Sequence, residues 1–275
     1  MEYMVRDIAV YYEERGEGRP LLMLHGSHTD HREMLHKMEP LFEYRTGWRR
    51  IYPDLPGRGR TPGADWISSQ DDILEATLEF LEGIAPGERF IVAGYSFGGY
   101  LAQGMVYKRG ERMDGVMLGA PAVGVDPAER NYPPHEVLVH DPEFVAAVGT
   151  DEQLLLRVAV VQNRQRLADF RDDIKPGLIM ADGEFIGRVA ANGGFSFNVN
   201  KPAEPFPAPA LIVTGRQDSM CGYREAWSIL DNYPRGTYAV LDRAGHGVGG
   251  EQRGLYQALV NEWLDRVEEY MRPGI

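Results

Sequence analysis

The sequence predicts an α/β fold: a mostly parallel, doubly wound sheet interrupted by one inserted helical cap. Short apolar runs that stop at glycine, aspartate or a turn alternate with segments whose apolar residues recur at helical spacing. The rhythm lapses once, in the middle of the chain, and then resumes.

Ile8 to Glu13 reads as an early strand, and Gly16-Glu17-Gly18 turns the chain into Pro20-Leu21-Leu22-Met23-Leu24. That run is apolar throughout, as a strand covered on both faces of a parallel sheet should be. The pattern recurs at Arg50–Asp54, Phe90–Gly94, Val116–Gly119, Leu211–Gly215 and Tyr238–Asp242. Ile73, Leu74, Thr77, Leu78 and Leu81 carry helical spacing between two of these runs, and Leu255, Leu259, Trp263, Leu264 and Val267 carry it after the last. From Ala122 to Lys201 no buried strand is expected, only helix-like stretches at Asp151–Phe170 and Gly183–Ala191. The proline-rich return at Pro202, Pro205, Pro207 and Pro209 suits a connection between two units. The expected division is therefore a core of residues 1–121 and 202–275, with a helical cap at 122–201.

The 275 residues, 43% of them apolar, suffice for such a core. The formal net charge of -12 repels phosphate backbones and anionic lipid, so neither nucleic acid nor membrane is expected as a partner. Cys221 is the only cysteine, which rules out an intrachain disulfide. Met1 to Asp7 lack the positive region and apolar run of a secretory signal, and a cytoplasmic monomer or homodimer is the expectation.

The strongest chemical signal is Gly94-x-Ser96-x-Gly98, set between an apolar strand and a helical segment. A serine in a sharp strand-to-helix turn needs small neighbours two positions away on each side, because side chains there collide with the backbone. A serine hydroxyl also needs a base and a carboxylate that orients it. Asp218, in Thr214-Gly215-Arg216-Gln217-Asp218, and His246, in Arg243-Ala244-Gly245-His246-Gly247, follow the serine in the order Ser, Asp, His, each just past an expected core strand. Asp242 ends its strand too early to serve, and Glu251 falls after the base. Main-chain amides of Ser27 and Phe97 are the candidate donors to an oxyanion. His25-Gly26-Ser27-His28-Thr29-Asp30-His31 also approximates a zinc-binding HxHxDH signature, but Gly26 stands where the first histidine ligand belongs, so no metal is expected.

Taken together, Leu24-His25-Gly26, Asp54-Leu55-Pro56-Gly57-Arg58-Gly59, Gly94-x-Ser96-x-Gly98, Thr214-Gly215-x-x-Asp218 and Gly245-His246 resemble the α/β-hydrolase superfamily with a cap domain, over almost the whole chain. The resemblance implies a triad of Ser96, Asp218 and His246, an oxyanion hole at Ser27 and Phe97, and no cofactor. A serine nucleophile departs from the aspartate of haloalkane dehalogenases and epoxide hydrolases. Gly247 departs from the tryptophan that several carbon–carbon bond hydrolases carry after the histidine. The expected activity is that of a carboxylesterase acting on a small or medium ester or lactone through an acyl-enzyme. A carbon–carbon (meta-cleavage product) hydrolase and a ligand-binding protein without turnover are the alternatives. His28, Tyr95, Phe144, Phe170 and Phe185 are the candidate substrate-pocket residues.

Overall fold

The structure, a computed structural model, describes residues 1–124 and 130–272. Its centre is an eight-stranded sheet: β1 (Glu2–Val5), β2 (Ile8–Arg15), β3 (Arg19–Leu24), β4 (Trp48–Pro53), β5 (Phe90–Tyr95), β6 (Met113–Gly119), β7 (Ala210–Gly215) and β8 (Gly236–Leu241). The strands lie in the order β1-β2-β4-β3-β5-β6-β7-β8. β1 pairs antiparallel with β2 and β2 with β4, while every other pairing is parallel. The expected α/β fold with a mostly parallel sheet is the fold observed.

Burial explains why the apolar runs were readable. β3, β5, β6 and β7 are buried almost without interruption, because helices cover both faces. On one face α2 (Gln70–Ile84) and α3 (Phe97–Arg109) pack over Leu22, Val92 and Ile212. On the other, α1 (His31–Met38) and α11 (Arg253–Met271) cover Leu21, Ile91 and Val213. α2 begins at a capping box, in which Ser69 Oγ accepts from the Asp72 amide and Asp72 Oδ2 from the Ser69 amide. β8 is only partly buried, as an edge strand.

Two local expectations are corrected. β1 was not anticipated, since four residues with two exposed side chains carry no periodic signal; a hairpin with β2 makes it a strand. Asp151–Phe170 is not one helical stretch but α5 (Gln153–Val158) and α6 (Arg164–Asp169), separated by extended chain. The β-branched Val160 and Val161 disfavour the helix there, and Glu251 Oε1 takes their amides at 2.6 and 3.2 Å.

The chain between β6 and β7 continues through α4 (Pro142–Ala147), α5, α6, a π-helical turn at Phe170–Ile174, α7 (Lys175–Met180) and α8 (Gly183–Ala191). Residues 125–129 of the expected cap lie outside the described residues. A small core of Phe144, Leu155, Ala159, Leu167 and Phe170 belongs to this segment alone. After β7 come α9 (Tyr223–Ser228) and, beyond β8, α10 (Val248–Glu251). Among the described residues no helix is long and apolar enough to cross a membrane.

Trp263 on α11 is fully buried and donates through Nε1 to the Pro209 carbonyl at 3.2 Å. Trp263→Ala is expected to lower unfolding stability by about 3–5 kcal/mol, measured by denaturant titration; a loss below about 1 kcal/mol would show that α11 is not part of the cooperative core.

Candidate active site

Parallel strands deliver their following loops to one edge of the sheet, where ligands bind in folds of this class. Leu24 of β3 is in register with Gly94 of β5, so the loop beginning His25-Gly26-Ser27 lies beside the turn at Ser96. β7 and β8 end in register at Gly215 and Leu241, just before the loops that carry Asp218 and His246.

Ser96 has φ 54° and ψ -115°, a left-handed conformation that costs a non-glycine residue about 1–3 kcal/mol. The surroundings hold it there. Its amide donates to the Gly119 carbonyl at 2.9 Å, and its carbonyl accepts from Ala122 at 3.0 Å and Tyr100 at 3.2 Å. A Cβ on Gly94 would fall 2.2 Å from the Gly98 carbonyl oxygen, and one on Gly98 would fall 2.1 Å from that of Leu24. The motif therefore records close backbone approach on both sides of the serine.

Asp218 is fully buried, and its side chain is fully committed. Oδ1 accepts from the amides of Met220 at 2.8 Å and Cys221 at 3.0 Å, and Oδ2 lies 3.0 Å from His246 Nδ1. Burial pushes the Asp218 carboxyl up, but the His246 charge, its hydrogen bond and the two amides outweigh burial and hold the group below its ordinary range. Burial likewise works against protonated His246; the Asp218 charge overrides it and, with the Cys221 side chain, raises the imidazole well above 6.5. The Tyr95 hydroxyl donates to the His246 carbonyl, fixing the loop that bears the ring.

The first loop is equally constrained. His25 is fully buried; Nδ1 donates to the Gly26 carbonyl at 2.8 Å and Nε2 accepts from the Leu55 amide at 3.0 Å, and burial lowers its pKa. Arg58, which burial lowers to about 10, donates through Nε to the Ser27 carbonyl at 2.8 Å. Glu33 Oε2 accepts from the Gly26 amide and the Thr29 hydroxyl. The Phe97 amide begins α3, while its ring turns away toward Tyr100 and Arg58.

A cavity of about 440 Å³ joins these parts. Ser96, His246, Ser27, His28, Tyr95 and Phe170 line it. Phe144 does not, being buried in the core of the helical segment, and neither does Phe185, whose ring fills the space beside Gly57 and Gly63. Leu154, Leu155, Val158, Ile174 and Leu178 make an apolar wall. A further part of the lining, which sequence reasoning missed, is ionic: Glu33, His36 and Lys37 of α1 with Arg166, Asp169 and Asp173. On α1 these side chains read as an ordinary solvated face, and no local signal pairs them with residues so distant in the chain.

Among the described residues three groups of side chains could hold a metal by proximity alone: Asp218, Cys221 and His246; Asp30, His31 and Asp54; and His36, Asp169 and Asp173. Each is already engaged within the protein. Asp30 caps α1 and pairs with Arg32, and His31 Nδ1 lies 2.8 Å from Asp54 Oδ1. His36 sits between Asp169 at 3.4 Å and Asp173 at 3.0 Å, with Arg253 also on Asp169.

The family model described as the alpha/beta hydrolase family matches residues 21–256. A solved alpha/beta superfamily hydrolase from Oenococcus oeni PSU-1 is 29% identical, with a TM-score of 0.85 over 98% of this chain and 99% of its own. A pimeloyl-[acyl-carrier protein] methyl ester esterase of Legionella pneumophila (strain Paris) is 20% identical over 93% of this chain and 99% of its own length. A 2-hydroxy-6-oxononadienedioate/2-hydroxy-6-oxononatrienedioate hydrolase of Burkholderia vietnamiensis (strain G4 / LMG 22486) is 24% identical over 94% of this chain and 92% of its own.

Two outcomes follow from this geometry. Gly98→Ala forces a methyl group into the Leu24 carbonyl and should cost about 1–3 kcal/mol; an unchanged denaturation midpoint would contradict the tight elbow. Hydrogen bonds to Asp169 and Asp173 raise His36 from 6.5 to about 9, against burial and the Arg253 guanidinium, whose Nη2 lies 2.6 Å from Nε2. Its charged form is favoured by folding, so this contribution is complete below the unfolded value and fades as pH rises through about 9. The melting-temperature gap between wild type and His36→Gln, followed from roughly pH 6 to 10, should close at the alkaline end, and a gap that is flat or widens there refutes the clamp.

Proposed function

The chain belongs to the alpha/beta hydrolase family, and from that premise we propose that it is a serine carboxylesterase that cleaves a small or medium ester or lactone through an acyl-enzyme. One observation carries the reading. Ser96, on a strained turn, opens into the same cavity as His246, whose Nδ1 is held by buried Asp218.

With Nδ1–H donated to Asp218, His246 keeps Nε2 as the base for the Ser96 hydroxyl. The serine oxygen attacks the substrate carbonyl, and the imidazole takes its proton. Negative charge gathers on the carbonyl oxygen, which the amides of Ser27 and Phe97 receive. Collapse expels the alcohol, protonated by His246, and water repeats the sequence on the acyl-enzyme. The helical segment between β6 and β7 serves as a cap whose apolar wall receives the acyl chain.

The relative named as a methyl ester esterase supports an ester substrate. The relative named as a 2-hydroxy-6-oxononadienedioate/2-hydroxy-6-oxononatrienedioate hydrolase keeps the carbon–carbon (meta-cleavage product) hydrolase as the second reading. A panel of short and medium esters, lactones and a dienoate separates the two.

Ser96→Ala should lower turnover by about four to six orders of magnitude and abolish labelling by a fluorophosphonate. Persistent labelling or esterase activity in that variant would defeat the mechanism. Because neutral imidazole is the base, activity falls as pH drops through the His246 pKa, which lies well above 6.5. The acid limb of kcat/KM should therefore lie above pH 6.5, and Asp218→Asn should move it downward while lowering kcat by about 10⁴. An acid limb unmoved by Asp218→Asn would remove Asp218 from its role.

A further inference from the structure

The ionic wall of the cavity is far richer in cations than the chain as a whole. The protein carries a net charge of -12, yet around the carboxylates of Glu33, Asp169 and Asp173 stand His36, Lys37, Arg166 and Arg253. Lys37, Arg166 and Arg253 alone thus match the three carboxylates beside the nucleophile, a local balance that the acidic chain as a whole lacks.

Among these cations Arg166 is the least well partnered. Asp169 is the acceptor nearest to it, but Asp169 already receives Arg253 at 2.8 Å and Gln165 at 2.8 Å, with His36 at 3.4 Å. Arg166 is left with a long contact of 3.4 Å from Nη1. Its Nε is buried and has no hydrogen-bond partner among the described residues. Nε is closed to any ligand, so the donors a bound acceptor could reach are the under-used Nη groups of this cavity-lining side chain.

Space has been made for this side chain beside the reacting groups. A Cβ on Gly247, the residue after His246, would fall 2.7 Å from Arg166 Nη2, and one on Gly250 would fall 2.0 Å from Nη1. Two glycines thus admit the guanidinium against the loop that carries the base. Lys37 adds a second cation on the same wall, 4.3 Å over the Tyr95 ring, with Glu33 Oε1 at 3.0 Å as its acceptor.

We propose that Arg166 is a specificity-determining residue that receives a carboxylate carried by the substrate, so that the cavity selects esters bearing a second, anionic group. The inference rests on the serine-esterase reading for its substrate class. A planar guanidinium presents paired donors to a carboxylate, which a neutral chain end cannot use. The apolar wall of Leu154, Leu155 and Val158 then receives the hydrocarbon between the two functional groups.

The carboxylate belongs either to the acyl part or to the leaving alcohol, and substrates can separate these. One arm uses aryl half-esters of straight-chain dicarboxylic acids from succinate to suberate, against aryl esters of equal length ending in methyl. The other uses short acyl esters of hydroxycarboxylic acids against esters of the matching neutral alcohols. Wild type should favour the anionic member of one arm by about tenfold or more in kcat/KM, through KM, as one charge-assisted hydrogen bond provides. Arg166→Gln should reduce that ratio to within about twofold, and Arg166→Lys should keep part of it. Binding is read without turnover in Ser96→Ala: the free dicarboxylates should raise its melting temperature, and the added Arg166→Gln should abolish the rise. Equal kcat/KM for anionic and neutral esters in both arms, with no dicarboxylate-induced shift, overturns the proposal and leaves the esterase intact. A shift that depends on Arg166 in a protein whose esterase activity survives Ser96→Ala would sink the mechanism and leave the anion site standing. If Arg166→Gln does not fold, the wild-type ratios and the Arg166→Lys comparison decide.

Discussion

The site depends on a close approach of backbone to backbone: α3 begins so near β3 and β5 that neither Gly94 nor Gly98 can carry a side chain. That contact forces the chain to reverse at Ser96, with φ at 54°. The strain is affordable because it is surrounded by saturated hydrogen bonding, the Ser96 amide and carbonyl being tied to Gly119, Tyr100 and Ala122. A hydroxyl held this way stands clear of the sheet, at the first turn of a helix whose amides point outward. Everything else in the site is arranged around a point whose position is set by main chain and not by side-chain rotamers.

The second constraint is electrostatic. Asp218 is buried with no exposed surface, and burial alone would drive it toward the neutral acid. Two amides and the His246 imidazole reverse that balance, so the carboxylate stays ionised and the ring stays oriented. The His246 loop is held at two further places, by Tyr95 on its carbonyl and by Glu251 Oε2 on the Gly245 amide at 2.7 Å. Glu251 Oε1 simultaneously holds Val160 and Val161. One side chain thus couples the His246 loop to the helical segment between β6 and β7.

What could be read from the sequence was whatever leaves a local trace. The strand runs of β3, β5, β6 and β7 were legible because both of their faces are covered, so nearly every residue is apolar. Ser96, Asp218 and His246 were legible as candidates because each sits in a glycine-marked turn directly after such a run. Phe170 reaches the cavity while Phe144 and Phe185 do not, and nothing in an aromatic residue's identity says which neighbour its ring will find. The helix expected from Asp151 to Phe170 broke because an outside carboxylate captured the amides of Val160 and Val161, a tertiary event with no local signature. His36, Arg166 and Asp169 were invisible for the same reason: their meaning arises only where α1 meets α6.

That meeting gives the cavity two unlike halves. The half that would carry out chemistry rests on the ends of buried strands, where displacement would disrupt a close-packed sheet. The half that would choose the substrate rests on helices of six to nine residues, α4 to α8, too short to be stable alone. Their position is maintained by a small core of their own and by ion pairs reaching down to His36 on α1 and Arg253 on α11. Ion pairs of this kind contribute direction more than stability, since desolvation offsets much of their attraction. Substitutions in α4 to α8 can therefore reshape the apolar wall without touching the turn at Ser96, whereas Asp169 and Asp173 cannot change alone, because they meet His36 on α1 and Arg253 on α11.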